Sequence, residues 1–172
     1  MIDARATLAL LLRHEVEFIV VGGVAAWLHG SPLLTRDLDV VYARTESNLR
    51  RLAGALAPLH PYLRGAPPGL PFLWDVGTLA RGLNFTLTTD LGDLDLLGEV
   101  GGATYETLLP RSFVVQASGL EFRCLGLRTL IELKRAAGRP KDFEAIAQLE
   151  VTLEERERIG GSIEPRDLPE GS

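Results

Sequence analysis

Cysteine is nearly absent from this chain: Cys124 stands alone among 172 residues. A single thiol closes no internal disulfide and supplies no cysteine cluster for zinc. Positive charge is also in deficit, with 18 Lys and Arg against 23 Asp and Glu for a net charge of −5. No general basic field is available to hold a nucleic-acid backbone, so any such contact must come from a local patch. Long apolar runs are missing too. The longest near the N-terminus, Leu8 to Leu12, falls far short of the roughly 18–20 residues that span a bilayer. It lacks a basic leader and is followed by Arg13, His14 and Glu15, so neither a signal peptide nor a membrane association is expected, and the expected location is cytoplasmic. Neither G-x-G-x-x-G nor G-x-x-x-x-G-K-[ST] occurs, which disfavours a dinucleotide-binding Rossmann site and a P-loop ATPase.

What is present is ordinary for a folded domain, 46% hydrophobic and 24% charged. One domain over residues 1–155 is expected, followed by a flexible Gly/Pro/acid-rich tail over 156–172. Leu8, Leu11 and Leu12 recur at helical spacing, which predicts a helix over 4–14. Phe18 to Val21 is a β-branched apolar run ended by Gly22-Gly23 and reads as a strand buried on both faces. A short helix from Val24 to His29 and an alternating strand from Asp37 to Tyr42 follow. Thr45 is placed to cap a helix whose apolar stripe is Leu49, Leu52, Ala53 and Leu56. Pro58 to Pro71 holds five prolines and two glycines and reads as a long loop, a kind that is often functional. Two hairpins, over 83–97 and 113–125, and helices over 127–137 and 141–155 complete the pattern. Strands interleaved with helices and hairpins indicate an α/β domain with a mixed sheet.

The chemically informative feature is Asp37-Leu38-Asp39. Side chains alternate along a strand, so both carboxylates share one face while Leu38 and Val40 take the other. At an effective dielectric near 20, two carboxylates about 5 Å apart repel by roughly 3 kcal/mol. A counter-charge is therefore needed. Arg36 could supply it, and so could a hard divalent cation, which favours carboxylate oxygens. Asp93-Leu94-Asp95 repeats the arrangement, and three carboxylates converging from neighbouring strands would suit a two-metal clamp. The bland alternative is a pair of amphipathic strands with their acids in water. Gly22-Gly23 likewise reads either as a phosphate-cradling helix start or as a tight turn that needs positive φ.

The segments FIVVGGVAAWLHG, TRDLDVV, GDLDLL and LIELKRAAGRPKDFEAIAQL together resemble minimal nucleotidyltransferases of the DNA polymerase β superfamily. The likeness spans roughly residues 15–150 and is nearest to the branch of abortive-infection (AbiEii-like) toxins of toxin–antitoxin systems. It implies a single nucleotidyltransferase-type mixed sheet flanked by helices. It assigns Asp37, Asp39 and Asp95 as catalytic ligands of Mg2+ or Mn2+, and Gly22 and Gly23 as holders of a nucleoside triphosphate. Thr35, Arg36, Lys134, Arg139 and Lys141 are the further nucleotide-binding residues expected. Gly138 to Asp142 matches the turn before that branch's last helix, whereas Leu33 stands where the family often has an arginine. The implied reaction moves a nucleoside monophosphate from a nucleoside triphosphate to an acceptor hydroxyl, on RNA, a protein or a small molecule, and an antitoxin partner is implied as well. A nucleotide-binding module without turnover, acting through a partner protein, is the competing reading.

Lys134 falls on the apolar stripe of Leu130 and Ile131, where it either snorkels to water or turns inward toward phosphate and acid. His29 reads as a helix-end residue, Cys124 as a small buried hydrophobe, and Trp27 and Trp74 as packing residues. Arg128, Lys134, Arg135, Arg139 and Lys141 form either a solvated helix surface or a phosphate-facing patch.

Overall fold

The computed structural model describes residues 1–160 and 166–169. Helix α1 (Ala4–Arg13) starts where the Asp3 carboxylate accepts a hydrogen bond from Ala6 N at 2.9 Å. Strand β1 (Phe18–Val21) runs straight into α2 (Gly22–Leu28), and β2 (Asp37–Tyr42) follows. Thr45 caps α3 (Glu46–Leu56) by accepting from Asn48 N. Next come β3 (Tyr62–Leu63), α4 (Val76–Arg81), the hairpin of β4 (Asn84–Thr89) and β5 (Gly92–Leu97), and a small ribbon of β6 (Glu99–Val100) and β7 (Ala103–Thr104). Helix α5 (Tyr105–Leu108), the hairpin of β8 (Ser112–Ala117) and β9 (Leu120–Leu125), then α6 (Leu127–Ala137) and α7 (Phe143–Ile159) end the described order.

Seven strands form one mixed sheet in the order β3-β4-β5-β2-β1-β9-β8. Strand β1 is central, antiparallel to β2 and parallel to β9, which is why all four of its residues are buried. Strand β2 runs parallel to β5 with Asp37 opposite Asp93 and Asp39 opposite Asp95. The intervening Leu38, Val40, Leu94 and Leu96 are fully buried, each worth about 1.5–3 kcal/mol of apolar burial. That burial locks the register, because a slip of one residue would drive the aspartates into the core. Helix α1 packs on α3, while α2 packs on α6 and α6 on α7.

The structure departs from the sequence pattern in several places. The proline-rich stretch is not wholly loop: Tyr62 and Leu63 form the edge strand β3, paired with Thr88 and Leu87. A two-residue strand is too short to leave a periodic signal. Helix α4 was not predicted; Asp75 caps it by accepting from Thr78 N at 2.7 Å. The last helix begins later than expected, after a 3₁₀ turn over Pro140–Asp142, and continues to Ile159. Beyond it, Leu168 is buried, the Asp167 carboxylate accepts from Ser118 N at 2.7 Å, and the Arg166 guanidinium lies over the Trp27 ring. The expected tail thus has ordered contacts at Arg166–Pro169, where Leu168 finds apolar cover; residues 161–165 and 170–172 lie outside the described residues. No described helix is long and apolar enough to cross a membrane.

Candidate functional site

Two short strand ends build the site. Asp37 and Asp39 lie at the start of β2, and Asp95 lies beside Asp39 on β5. Each of the three offers a carboxylate oxygen, and these atoms all fall within 4.8 Å of one another. Such a set of three hard oxygen donors suits Mg2+ or Mn2+.

The backbone around the acids is shaped to fit them. Val21 pairs with Asp39 across the β1–β2 ladder, so the chain leaving β1 passes the Asp39 side chain. Gly22 follows with φ of +63°, and a Cβ there would land on the Asp39 carboxylate. Only glycine meets both conditions. A Cβ on Gly23 would lie 2.5 Å from the Thr35 side chain. The Thr35 hydroxyl donates to Asp37 Oδ1 at 2.8 Å and so orients that carboxylate.

Electrostatics separate the members of the cluster. Burial, followed by the charges of Asp37 and Asp95, pushes the Asp39 carboxyl up to about 7, against a hydrogen bond from Gly23 N–H and the charge of Lys134. Burial also raises Asp95, with the Arg64 guanidinium opposing it and the Asp37 charge adding to it. The part of these shifts that comes from like charge is what a bound cation would relieve.

The counter-charge comes from a residue the sequence reading passed over. Arg64, immediately after β3, points its guanidinium into the cluster: Nη2 donates to Asp95 Oδ1 at 2.9 Å. Its Nε lies 3.3 Å from Asp93 Oδ2 and its Nη1 lies 3.7 Å from Asp37 Oδ2. Arg36, considered for this role from its position beside Asp37, is exposed and among the described residues joins none of these pairs. It sits at the bend just before β2, exposed rather than turned into the cluster. The signal that could have found Arg64 was a lone cation in an otherwise uncharged Pro/Gly stretch.

A cleft of about 340 Å³ opens beside the carboxylates, within the range of small-molecule sites. Gly22, Asp39 and Asp95 lie at one end, and Leu130, Leu133 and Lys134 of α6 form a wall with Arg139 beyond. Lys134 is only 12% exposed and pairs with Asp142 at 3.3 Å, so its ammonium is turned inward rather than snorkelling. Arg139 Nε donates to the other Asp142 oxygen at 2.7 Å. Burial pushes Asp142 up, but the hydrogen bond from Arg139 and the charges of Lys134 and Arg139 outweigh it and hold the carboxyl below its usual range. Lys141 lies in the 3₁₀ turn; its side chain is not among those described. Arg128 and Arg135 pair with Glu157 and Glu150 of α7. Those two are part of the helix-pair seam, and the structure does not bring them to the cleft. His29 sits at the end of α2, buried, with Nε2 donating to Leu125 O at 2.7 Å. Cys124 is fully buried, with its thiol pushed up to about 12 by that burial.

No protein-family model and no curated protein sequence matches the chain. Among solved structures it is similar to a Thermotoga maritima protein provisionally described as a nucleotidyltransferase, with a TM-score of 0.55 and 17% sequence identity. The match covers 91% of this chain and 97% of that one. At this identity the likeness shows the fold: a nucleotidyltransferase-type mixed sheet flanked by helices.

Proposed function

We propose that the chain is a divalent-metal-dependent nucleotidyltransferase whose metal ligands are Asp37, Asp39 and Asp95. The observation that carries this reading is the convergence of their three carboxylates within 4.8 Å beside a cleft of ligand size. The fold shared with the Thermotoga maritima protein supports it. When bound, Mg2+ or Mn2+ would supply charge neutralisation of a polyphosphate and its leaving group.

The chain's own residues supply the rest. Gly22 and Gly23 let the chain pass close against Asp39 and Thr35, at the start of α2 where the resemblance puts the triphosphate. Thr35 holds Asp37 in its ligating rotamer. Lys134 and Arg139, at the far side of the cleft, offer cationic donors to phosphate oxygens. Asp95 would complete the metal site and, from β5, help take the proton from an acceptor hydroxyl. An acceptor hydroxyl on RNA, protein or a small molecule would attack the α-phosphorus, and pyrophosphate would leave.

The likeness of Gly138 to Asp142 to the abortive-infection branch supports a toxin role, for which growth arrest on expression, relieved by Asp95→Asn, is the test. A module that binds nucleotide without turnover draws on Arg64, which already neutralises the acids. One experiment decides between them. The chain is incubated with each labelled nucleoside triphosphate, Mg2+ or Mn2+, and cell extract or total RNA. Label transferred to an acceptor by wild type and not by Asp95→Asn supports transfer; metal-dependent binding without transfer supports the module.

A further inference from the structure

Arg64 is poorly satisfied where it lies. One of its nitrogens makes a well-formed hydrogen bond to Asp95, and that same Nη2 also donates to Leu87 O at 3.2 Å. The approaches to Asp93 and Asp37 are looser, at 3.3 and 3.7 Å. Nε is buried with no hydrogen-bond partner among the described residues. A guanidinium carries five donors in a rigid fork matched to bidentate oxyanions, and here most of that fork is underused. The side chain is 27% exposed, and the chain after it enters the Gly/Pro stretch Gly65–Pro71 rather than a packed element. Its anchor is firm all the same: Arg64 N donates to Thr86 O at 3.0 Å at the end of β3. A fixed backbone thus carries a side chain with room to move.

We propose that Arg64 is a built-in cation that exchanges partners: it neutralises Asp37 and Asp95 in the protein alone, yields them to a divalent metal, and then binds the polyphosphate that the metal brings. This inference rests on the metal reading of the three aspartates. It follows from a conflict of charge and space. Asp37 and Asp95 belong both to the oxygen set within 4.8 Å and to the ion pairs of Arg64. A metal held by Asp37 and Asp95 would sit against the guanidinium that pairs with the same two carboxylates, and two cations so close repel. The released guanidinium, still tethered at β3, stays beside the site where phosphate oxygens need donors. Arg64 is therefore a competitor of the metal and an ally of the nucleotide.

The test measures the two affinities separately. Mn2+ binding is followed by electron paramagnetic resonance for wild type, Arg64→Met, Arg64→Lys and Asp95→Asn. Binding of a non-hydrolysable triphosphate analogue is then measured at saturating Mn2+. Arg64→Met is expected to bind Mn2+ roughly ten-fold more tightly and the analogue roughly ten-fold more weakly, within the usual span of coupling between two sites. Its melting temperature in EDTA falls, and Mn2+ restores it. Arg64→Lys, which keeps the charge and loses the fork, shifts both affinities in the same directions by less, and it carries the test should Arg64→Met fail to fold. A side chain that merely braces the fold would weaken both ligands together. Wild type that binds Mn2+ while Arg64→Met binds it no more tightly, or analogue affinity unchanged in both variants, overturns the exchange and leaves the metal reading standing. No Mn2+ binding by wild type or by either Arg64 variant overturns the metal reading and the exchange with it.

Discussion

Asp39 stands directly opposite Asp95 on the parallel strands β2 and β5, so two carboxylates from segments more than fifty positions apart in the chain share one spot on the sheet. With no turn joining them, the ladder between the two strands and the packing of Leu38, Val40, Leu94 and Leu96 hold them in that register. The chemistry of the site is thus a consequence of the core beneath it.

Ligand binding is expected to depend on the metal and the acids together. A ligand at 100 times its dissociation constant stabilises the native state by about 2.7 kcal/mol, which for a domain of this size raises Tm by about 5–10 °C. Differential scanning fluorimetry should show this rise with a nucleoside triphosphate plus Mg2+ or Mn2+, and much less with either alone. Asp37→Asn combined with Asp39→Asn should remove it. A rise that persists in EDTA would separate nucleotide binding from the acidic cluster.

Asp95→Asn removes one metal ligand and keeps the side chain's size. Loss of a mere supporting partner of a metal commonly costs 10–100-fold, so loss of a ligand should lower metal-dependent transfer at least about 100-fold. Its melting temperature without metal should stay within a few degrees of wild type, as calorimetry would report. Activity close to that of wild type would remove Asp95 from the site.

Gly22→Ala combines two penalties. A left-handed alanine costs roughly 1–2 kcal/mol, and displacing the Asp39 carboxylate adds an overpacking cost of about 1–3 kcal/mol. The variant should lose about 5–15 °C in Tm, together with Mn2+ affinity, because Asp39 must leave its place. A variant that melts like wild type and binds Mn2+ normally would contradict the close approach of Gly22 to Asp39.

His29 should make stability depend on pH. Burial first, and the nearby Arg156 charge after it, lower its imidazole from 6.5 to about 4 against the hydrogen bond to Leu125 O. The unfolded chain therefore takes up this proton more readily than the native one between those two values. Stability from His29 is fully present above about pH 6.5, falls by about 3 kcal/mol as pH drops toward 4, and is level below that. Urea melts of wild type and His29→Gln across this range should diverge by that amount. Parallel curves would assign the pH dependence to other groups.

Lys134→Met removes an inward ammonium and leaves its stem. It should raise KM for the nucleotide about ten-fold with a smaller change in kcat, as expected for a group that binds ground and transition state alike. Asp142→Asn serves as the companion variant, since it frees Lys134 from its pair. An unchanged KM in Lys134→Met would return the residue to a structural ion pair.

Much was legible in the chain itself. Period-two alternation placed Asp37 and Asp39 on one face of their strand and Asp93 and Asp95 on one face of theirs, because a pleated strand allows nothing else. Apolar runs, the Thr45 cap and the glycine stops marked most helices and strands to within a few residues. Two-residue strands such as β3 and β6 escaped notice, since they hold fewer residues than one period can reveal.

What the amino-acid order determined by itself was the local pattern: which residues form a strand, which share a face, and where a helix starts and stops. Those outcomes depend on neighbours a few positions away and on backbone sterics alone. Which strands lie side by side, and so which carboxylates meet, was decided by tertiary structure. The sheet order β4-β5-β2-β1 joins segments far apart in sequence, and their pairing is selected by the burial of a whole apolar surface rather than by any one motif. Arg64 is the sharpest case. Nothing adjacent to it in the chain announces a partner; it faces Asp37, Asp93 and Asp95 because an edge strand two residues long pairs with β4 and aims the next side chain at the charge that the fold has gathered.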